Sequence, residues 1–393
     1  MNMRLALKSD RAGHLERRQS GSSEYQVFLP RPLPPAPALA YTPRVRELDE
    51  EANRALGRLD GAMAFLPEPD LFLYSYVRKE AVLSAQIEGA QSTLVDLFEA
   101  ELDPATHPPP DDVYEASDYV AATRQGLARI RDGAPLDAAL IRECHHTLMG
   151  GDRTLAGNPG AFRDVQNWLA GASPIDAIYV PPPPEAVGPA MDELAAYLRD
   201  GREPLVIRAG LAHAQFESIH PFNVGNGRAG RLLITLMLCA AHALDEPVLY
   251  LSLYLKERRA DYYDRLMAVR LDGDWEGWIE FYLMGVLSVA EEAAHLARRL
   301  TDMFHDHRDA IHRLGRAAPT ALRLHRLLCR SPIANAHFVA ENLDVSEPTA
   351  RKAIESLEGL GYLRERTGKQ RGRVYEYSPY LALLADGTER TFG

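Results

Sequence analysis

The densest chemistry in this chain lies in one segment, His220-Pro-Phe-Asn-Val-Gly-Asn-Gly-Arg-Ala-Gly-Arg231. Its parts divide the work that phosphoryl or nucleotidyl transfer requires. Gly225 and Gly227 allow a backbone to approach an anion closely, and a helix opening at Arg228 would aim its first N–H groups and the positive end of its dipole at that anion. Asn226 adds an amide donor. Arg228 and Arg231, three residues apart, share a helical face, so both guanidinium groups can grip one polyphosphate. His220 stands just before this nest, where an imidazole can take the proton from a hydroxyl as that hydroxyl attacks phosphorus. Pro221 and a buried Phe222 would hold the loop. A single histidine or a single G-x-G signifies little; the density of matching residues in one loop points to a site.

Helical periodicity flanks the segment, over Glu185–Leu198 and Val206–Ser218 before it and Arg228–Ala243 after it. Farther upstream, Val45, Leu48, Ala52, Leu56 and Leu59 recur at three- and four-residue steps, and a second helix over Leu71–Ile87 stops at Gly89. A proline-rich break at Pro104–Pro110 leads to helices over Val113–Arg131 and Ala138–Met149. Gly157–Pro184 is rich in glycine and proline and carries the β-favouring run Ile178–Val180, which predicts a β-hairpin or flap. A helix around Tyr262–Leu271, an aromatic-rich stretch over Gly273–Leu283 and a long charged helix over Leu287–Leu314 follow. Residues 1–30 are polar and Leu29–Pro37 holds too many prolines for a helix, so this arm reads as a surface segment, extended or disordered over its first part.

With 393 residues, 46% hydrophobic and 25% charged, the chain is long enough for two or three globular domains. Its net charge of -11 argues against non-specific wrapping of nucleic acid by the whole molecule. Cys144, Cys239 and Cys329 form no C-x-x-C pair, which gives neither a disulfide framework nor a zinc knuckle and fits a reducing compartment. Met1–Arg18 lacks an apolar leader, and Leu232–Leu244 is too short to span a bilayer. The expectation is a cytoplasmic protein without a membrane partner.

Beyond about Arg316, Thr320–Leu328, Ala336–Leu343 and Glu347–Leu360 read as three helices, with Ser346 at an N-cap. Two strands then enclose a basic turn holding Lys369, Arg371 and Arg373, an order that resembles a winged helix-turn-helix. Such a module could place Glu347–Leu360 in a major groove and the turn on phosphates. It could equally serve protein interaction or a homodimer, since Glu347, Glu355 and Glu358 weaken a groove contact.

The segment at 220–231 resembles the Fic signature H-P-F-x-[D/E]-G-N-G-R-x-x-R, and Leu33–Leu39, Leu59–Leu73 and Gly160–Pro184 look like that family's N-terminal region and flap. The resemblance covers residues 25–290 and implies a mainly α fold: a Fic helical core with a β-hairpin flap, followed by the winged helix-turn-helix domain. It further implies a protein adenylyltransferase that moves AMP from ATP, with Mg²⁺ among the phosphates, to a Ser, Thr or Tyr hydroxyl of a protein, the chain itself included. In that family the flap, here Ile178, Tyr179 and Val180, would align the target by strand addition. Tyr262 and Tyr263 resemble tyrosines that enclose the nucleoside, or are core residues. One departure stands out: Val224 occupies the family's acidic position and cannot ligate Mg²⁺, and the neighbouring Asn223 carries no charge. No residue is therefore assigned to a metal, and another phosphate-containing donor stays open.

Ser84-Ala-Gln-Ile-Glu88-Gly89 resembles the family's inhibitory motif. By that likeness Glu88 would pair with Arg231, displace the γ-phosphate and restrain transfer, with Ser84 steadying it; removal of AMP is a further role open to Glu88. The chain then divides into an arm with helices bearing this motif (1–110), a catalytic core (111–290), a linker helix (291–315) and a winged-helix domain (316–393). The alternative function is a nucleotide-sensing DNA-binding regulator with little turnover.

Overall fold

The structure is a computed structural model and describes residues 7–21, 23–64, 69–102, 110–150 and 158–389. Most of the proline-rich break at Pro104–Pro110, together with Gly157 and the first six residues, lies outside the described residues. The chain folds as two compact units, one of Met1–Gly57 with Asp118–Ala290 and one of Arg58–Ser117 with Glu291–Gly393.

The chain begins with β1 (Gly13–Ser20) and β2 (Ser23–Pro30), an antiparallel pair in register from Gly13↔Pro30 to Ser20↔Ser23. This corrects the extended-arm reading. The strands are polar because a two-stranded ribbon exposes much of its surface, yet Val27 and Phe28 are buried. The Phe28 N–H donates to the Val180 carbonyl at 2.8 Å. The overlooked signal is Gly21-Ser22 between the two runs, with Gly21 at φ 61, a conformation glycine adopts without strain.

Helices α1 (Pro43–Ala64), α2 (Pro69–Ile87), α3 (Leu94–Leu102), α4 (Asp111–Arg131) and α5 (Ala138–Leu148) follow. The expected apolar steps of α1, from Val45 to Leu59, are all buried. Helix α3 escaped periodicity because it is short, but Thr93 and Asp96 form a reciprocal capping box: Thr93 N–H to Asp96 Oδ2 at 2.8 Å and Asp96 N–H to Thr93 Oγ1 at 3.2 Å. Next come α6 (Pro184–Asp200), α7 (Leu205–Ile219), α8 (Asn226–Ala240), α9 (Ser252–Glu257), α10 (Arg259–Asp272) and α11 (Trp275–His312). The aromatic stretch and the long charged helix are thus one helix, started by Asp274, whose Oδ1 accepts the Gly277 N–H at 3.0 Å.

The core of the first unit is α7, where every residue from Val206 to Ile219 except Arg208 is buried, as expected of a helix enclosed on all sides. Helix α8 packs on it, and Trp278 of α11 donates its indole N–H to the Gly210 carbonyl at 2.8 Å. The expected flap is reduced to one antiparallel bridge, Leu169↔Tyr179, within otherwise irregular backbone.

In the second unit, Arg78 grips Glu101 with a bifurcated Nε and Nη2, and the Tyr74 hydroxyl donates to the same carboxylate at 2.6 Å. The chain ends through α12 (Ala318–Arg330), β3 (Ile333–Asn335), α13 (Ala336–Leu343), α14 (Glu347–Gly359), β4 (Leu363–Glu365), β5 (Val374–Tyr377) and α15 (Ser378–Leu384). Its three strands lie in the order β3-β5-β4, antiparallel throughout. Ser346 occupies the N-cap of α14, but its hydroxyl pairs with the Thr349 hydroxyl at 2.9 Å instead of a backbone N–H. Pro348 at the second position lacks one of the N–H groups a cap would take.

Candidate active site

Helix α7 ends at His220, whose φ of 51 and ψ of 60 place it in the left-handed region. A non-glycine residue there is strained and must be held by its surroundings. Two buried arginines hold it. Arg163 donates through Nε to the His220 carbonyl at 2.9 Å and through Nη2 to the Pro182 carbonyl, while its own N–H reaches the Pro221 carbonyl at 2.9 Å. Arg270 donates through Nη2 to the Glu217 carbonyl at 2.8 Å and lies over the Tyr179 ring, 4.0 Å from its centroid. Cations at the carbonyl end of a helix also meet the negative end of its dipole.

Burial, with the Arg270 and Arg163 charges beside it, pushes the His220 imidazole down to about 3, only partly offset by the Glu217 backbone. The ring is therefore neutral at neutral pH, the form that can accept a proton. Burial lowers Arg163 to about 10, which leaves it charged.

The loop after His220 closes on Asn226. The Phe222 N–H donates to Asn226 Oδ1 and Asn226 Nδ2 donates to the Phe222 carbonyl, both at 2.8 Å. Asn226, expected to offer its amide to an anion, instead holds the loop with both ends of that amide. Phe222 is fully buried, as anticipated, and stacks on His145 with ring centroids 3.6 Å apart. His145 Nδ1 accepts the Gly160 N–H at 3.0 Å, so its proton sits on Nε2 and is donated to the Val224 carbonyl at 2.9 Å. Burial lowers this ring to about 4.

Gly225 caps α8 at φ 74, a conformation that favours glycine, and a Cβ there would lie 2.5 Å from Met149 Sδ and displace that side chain. The first turn of α8 then presents N–H groups without helical acceptors. Gly227 and the buried Arg228 stand in that turn, and the buried Arg231 follows in the next.

Tyr262 is buried and forms part of a polar chain rather than a surface for a nucleoside. His213 Nδ1 bonds to the Gly230 carbonyl and its Nε2 to the Tyr262 hydroxyl, each at 2.9 Å, and that hydroxyl also bonds Arg231. Tyr263 is 42% exposed. Among the flap residues, Ile178 is 60% exposed, whereas Tyr179 and Val180 are buried and the Tyr179 hydroxyl donates to the Ser218 carbonyl at 2.6 Å. The bond from Phe28 already occupies the Val180 carbonyl.

Ser84 is buried within α2, and Glu88 and Gly89 lie on the exposed turn that follows, in the second unit. Lys369, Arg371 and Arg373 are exposed on the β4–β5 connection.

Arg163, Arg270 and His145 were missed by sequence reading. Arg270 and His145 lie on the buried stripes of their helices, with Leu266 and Val269 and with Ile141 and Leu148. A charged or titratable residue in a core register was the available signal. Arg163 lies outside regular structure and gave none.

The loop does not fit a protein-held Mg²⁺. Val224 supplies no oxygen from its side chain, and no group of three or more His, Cys, Asp or Glu suited to a metal occurs among the described residues.

Two family models match the chain: Fic/DOC family N-terminal over residues 46–128 and Fic/DOC family over residues 135–238. The Protein adenylyltransferase Fic of Aedes aegypti is 32% identical over 145 residues, and that of Culex quinquefasciatus 31%. Each match covers 36% of this chain and 26% of the relative, so the likeness spans about a quarter of those proteins. A Fic family protein from Desulfovibrio desulfuricans G20 shares the fold, with a TM-score of 0.54 at 21% identity over 86% of this chain and 97% of that one. A Fic domain containing signaling protein from Bacteroides thetaiotaomicron gives 0.50 at 17% identity over 66% and 97%. With the motif at 220–231 seated between α7 and α8, the chain belongs to the Fic/DOC family.

Proposed function

We propose that this protein is a Fic-type adenylyltransferase that moves AMP from ATP to a Ser, Thr or Tyr hydroxyl of a protein, its own chain included. The observation that carries this reading is the pairing of a neutral His220 with a helix N-terminus bearing two buried arginines, Arg228 and Arg231. In the reaction the hydroxyl oxygen bonds to the α-phosphorus of ATP, pyrophosphate leaves, and the His220 imidazole takes the hydroxyl proton. Gly225, Gly227 and the α8 amides, with the arginines, carry the phosphate charge. The Ser84–Gly89 motif supports a self-restrained enzyme in which Glu88 opposes productive seating of ATP. Exposed Ile178 is the flap residue available to a target segment.

The test is intact-mass measurement of the Glu88→Gly protein after incubation with ATP, alone and with His220→Ala added. The expected result is a gain of one or more adenylyl groups that the second substitution abolishes. ATP binding with no label on any protein would overturn the reading. The exposed Lys369, Arg371 and Arg373 favour a second reading, a nucleotide-sensing DNA-binding regulator. Mobility shifts on its own promoter that persist unchanged when all three are replaced would remove that role for the turn.

A further inference from the structure

We infer that the C-terminal segment of the chain takes part in restraining transfer, because through Gln86 it braces the turn that carries Glu88. The inference rests on the self-restrained transferase proposed above and names what holds that restraint in place.

Gln86 lies inside the Ser84–Gly89 motif, in the last turn of α2, and is buried. Its Nε2 donates to two carbonyls, that of Ser92 at 2.8 Å and that of Thr388 at 3.0 Å. Its Oε1 is buried and accepts no hydrogen bond, so the two donated bonds orient the amide. The first of them closes the turn on which Glu88 stands. Within that turn the Gly89 N–H reaches the Gln86 carbonyl at 3.1 Å and the Ala90 N–H the Ala85 carbonyl at 3.2 Å. The second bond comes from a residue 302 positions away, near the end of the chain.

The Thr388 carbonyl is itself held. Thr388 is buried, and both its N–H and its hydroxyl donate to the Ala385 carbonyl, at 2.8 and 2.7 Å, which fixes the turn after α15. Helix α15 is fastened to α2 at another point, by a 2.6 Å bond between the buried hydroxyls of Tyr380 and Ser75. Ser75 and Gln86 stand about three turns apart on α2, about 16 Å at 1.5 Å per residue. The C-terminal segment therefore grips the motif-bearing helix at two separated points, all within the second unit. A buried donor or acceptor left without its partner is costly, so the Glu88 turn and this segment stabilise one another, and release of either loosens the other.

Two substitutions in the full chain separate the parts. Gln86→Met keeps the length of the side chain and removes both donated bonds. Thr388→Gly removes the hydroxyl bond that places the carbonyl and frees the backbone, leaving the Ser92 bond intact. Each is made with Glu88 present and in the Glu88→Gly protein, and adenylyl label after incubation with ATP is read by intact mass. With Glu88 present, label should rise about tenfold for Gln86→Met and about threefold for Thr388→Gly, the range that one or two net hydrogen bonds supply. In the Glu88→Gly background neither should add label, since the restraint is already gone. Label unchanged by both substitutions, while the Glu88→Gly protein is labelled, overturns the brace and leaves the transferase reading standing. An equal rise with and without Glu88 also overturns it, and a rise with Gln86→Met alone assigns the hold to Ser92 and removes the C-terminal segment from it. Should Gln86→Met lose its thermal transition, Thr388→Gly decides alone. No label on the Glu88→Gly protein overturns the transferase reading itself, and the inference with it.

Discussion

Replacing Arg163 removes the clamp on the strained end of α7, and its cost can be worked from the contacts. Of four carbonyls within reach, those of Ile219 and Val165 are 3.4 Å away and weak, which leaves the bonds to His220 and Pro182. Bonds from a charged donor contribute about 1.5–3 kcal/mol each, so Arg163→Ala should cost about 3–6 kcal/mol. Water entering the vacated space favours the lower figure. For a unit of this size about 3 kcal/mol corresponds to a fall in Tm of about 6–12 °C, readable by calorimetry. Arg163→Lys keeps the charge but not the fork, and about half the loss is expected. Transfer measured well below the lowered Tm should fall about a hundredfold, because His220 loses its fixed position. Removing the Arg163 charge should also raise the His220 pKa and move the acid limb of kcat/KM upward, which a purely structural residue would not do. A variant that melts within about 1 °C of wild type, with an unchanged pH profile, would refute the reasoning.

Histidines held below their ordinary pKa, the buried His325 at about 3 among them, contribute to the pH response. His145 and His213 at about 4 and His220 at about 3 lie below their ordinary 6.5, so the unfolded chain takes up protons that the folded one does not. Stability should be level above pH 6.5 and fall as pH drops toward about 4, by up to about 1.4 kcal/mol per unit for each histidine, as denaturant titrations would report. The acid limb of kcat/KM should accordingly lie near pH 3–4 in the free enzyme, and a limb at 6.5 would contradict a His220 base held neutral by its surroundings. Gly225→Ala should lose about 1–3 kcal/mol and weaken ATP binding, with Met149→Ala recovering only the steric part, since the left-handed conformation remains. Tyr262→Phe strips the hydroxyl from His213 and Arg231; about 1–3 kcal/mol of stability and a higher KM for ATP are expected, and an unchanged KM would show that Arg231 needs no such support.

Much of the helical core was legible because periodicity needs only neighbours on one helix. The spacing from Val45 to Leu59, the stop at Gly89 and the span of α7 all follow from residues a few positions apart. The N-terminal hairpin was not, because its strands are polar, bury few apolar side chains besides Val27 and Phe28, and are held by ladder bonds and by contacts to distant residues such as Val180, which composition does not reveal. The flap was legible as a break in the helices, but its outward and inward residues were not. Tyr179 turns inward because Ser218 and Arg270, both distant in sequence, receive its hydroxyl and ring.

At the site, the sequence alone determined which residues could do chemistry: His220, the glycines and the paired arginines, all within one loop and the helix turns after it. Glycine at 225 is demanded locally by its backbone conformation, and a motif of that density survives without tertiary information. Only the tertiary structure decided what each polar group is committed to. Asn226 and Tyr262 are spent on holding the loop and its arginine, while Arg163, Arg270 and His145 arrive from other parts of the chain to fix the loop, and the two arginines help to keep the His220 ring uncharged. The physical reason is that hydrogen-bond partners and burial, which set both geometry and pKa, come from residues 49 to 79 positions away, and no local pattern encodes them.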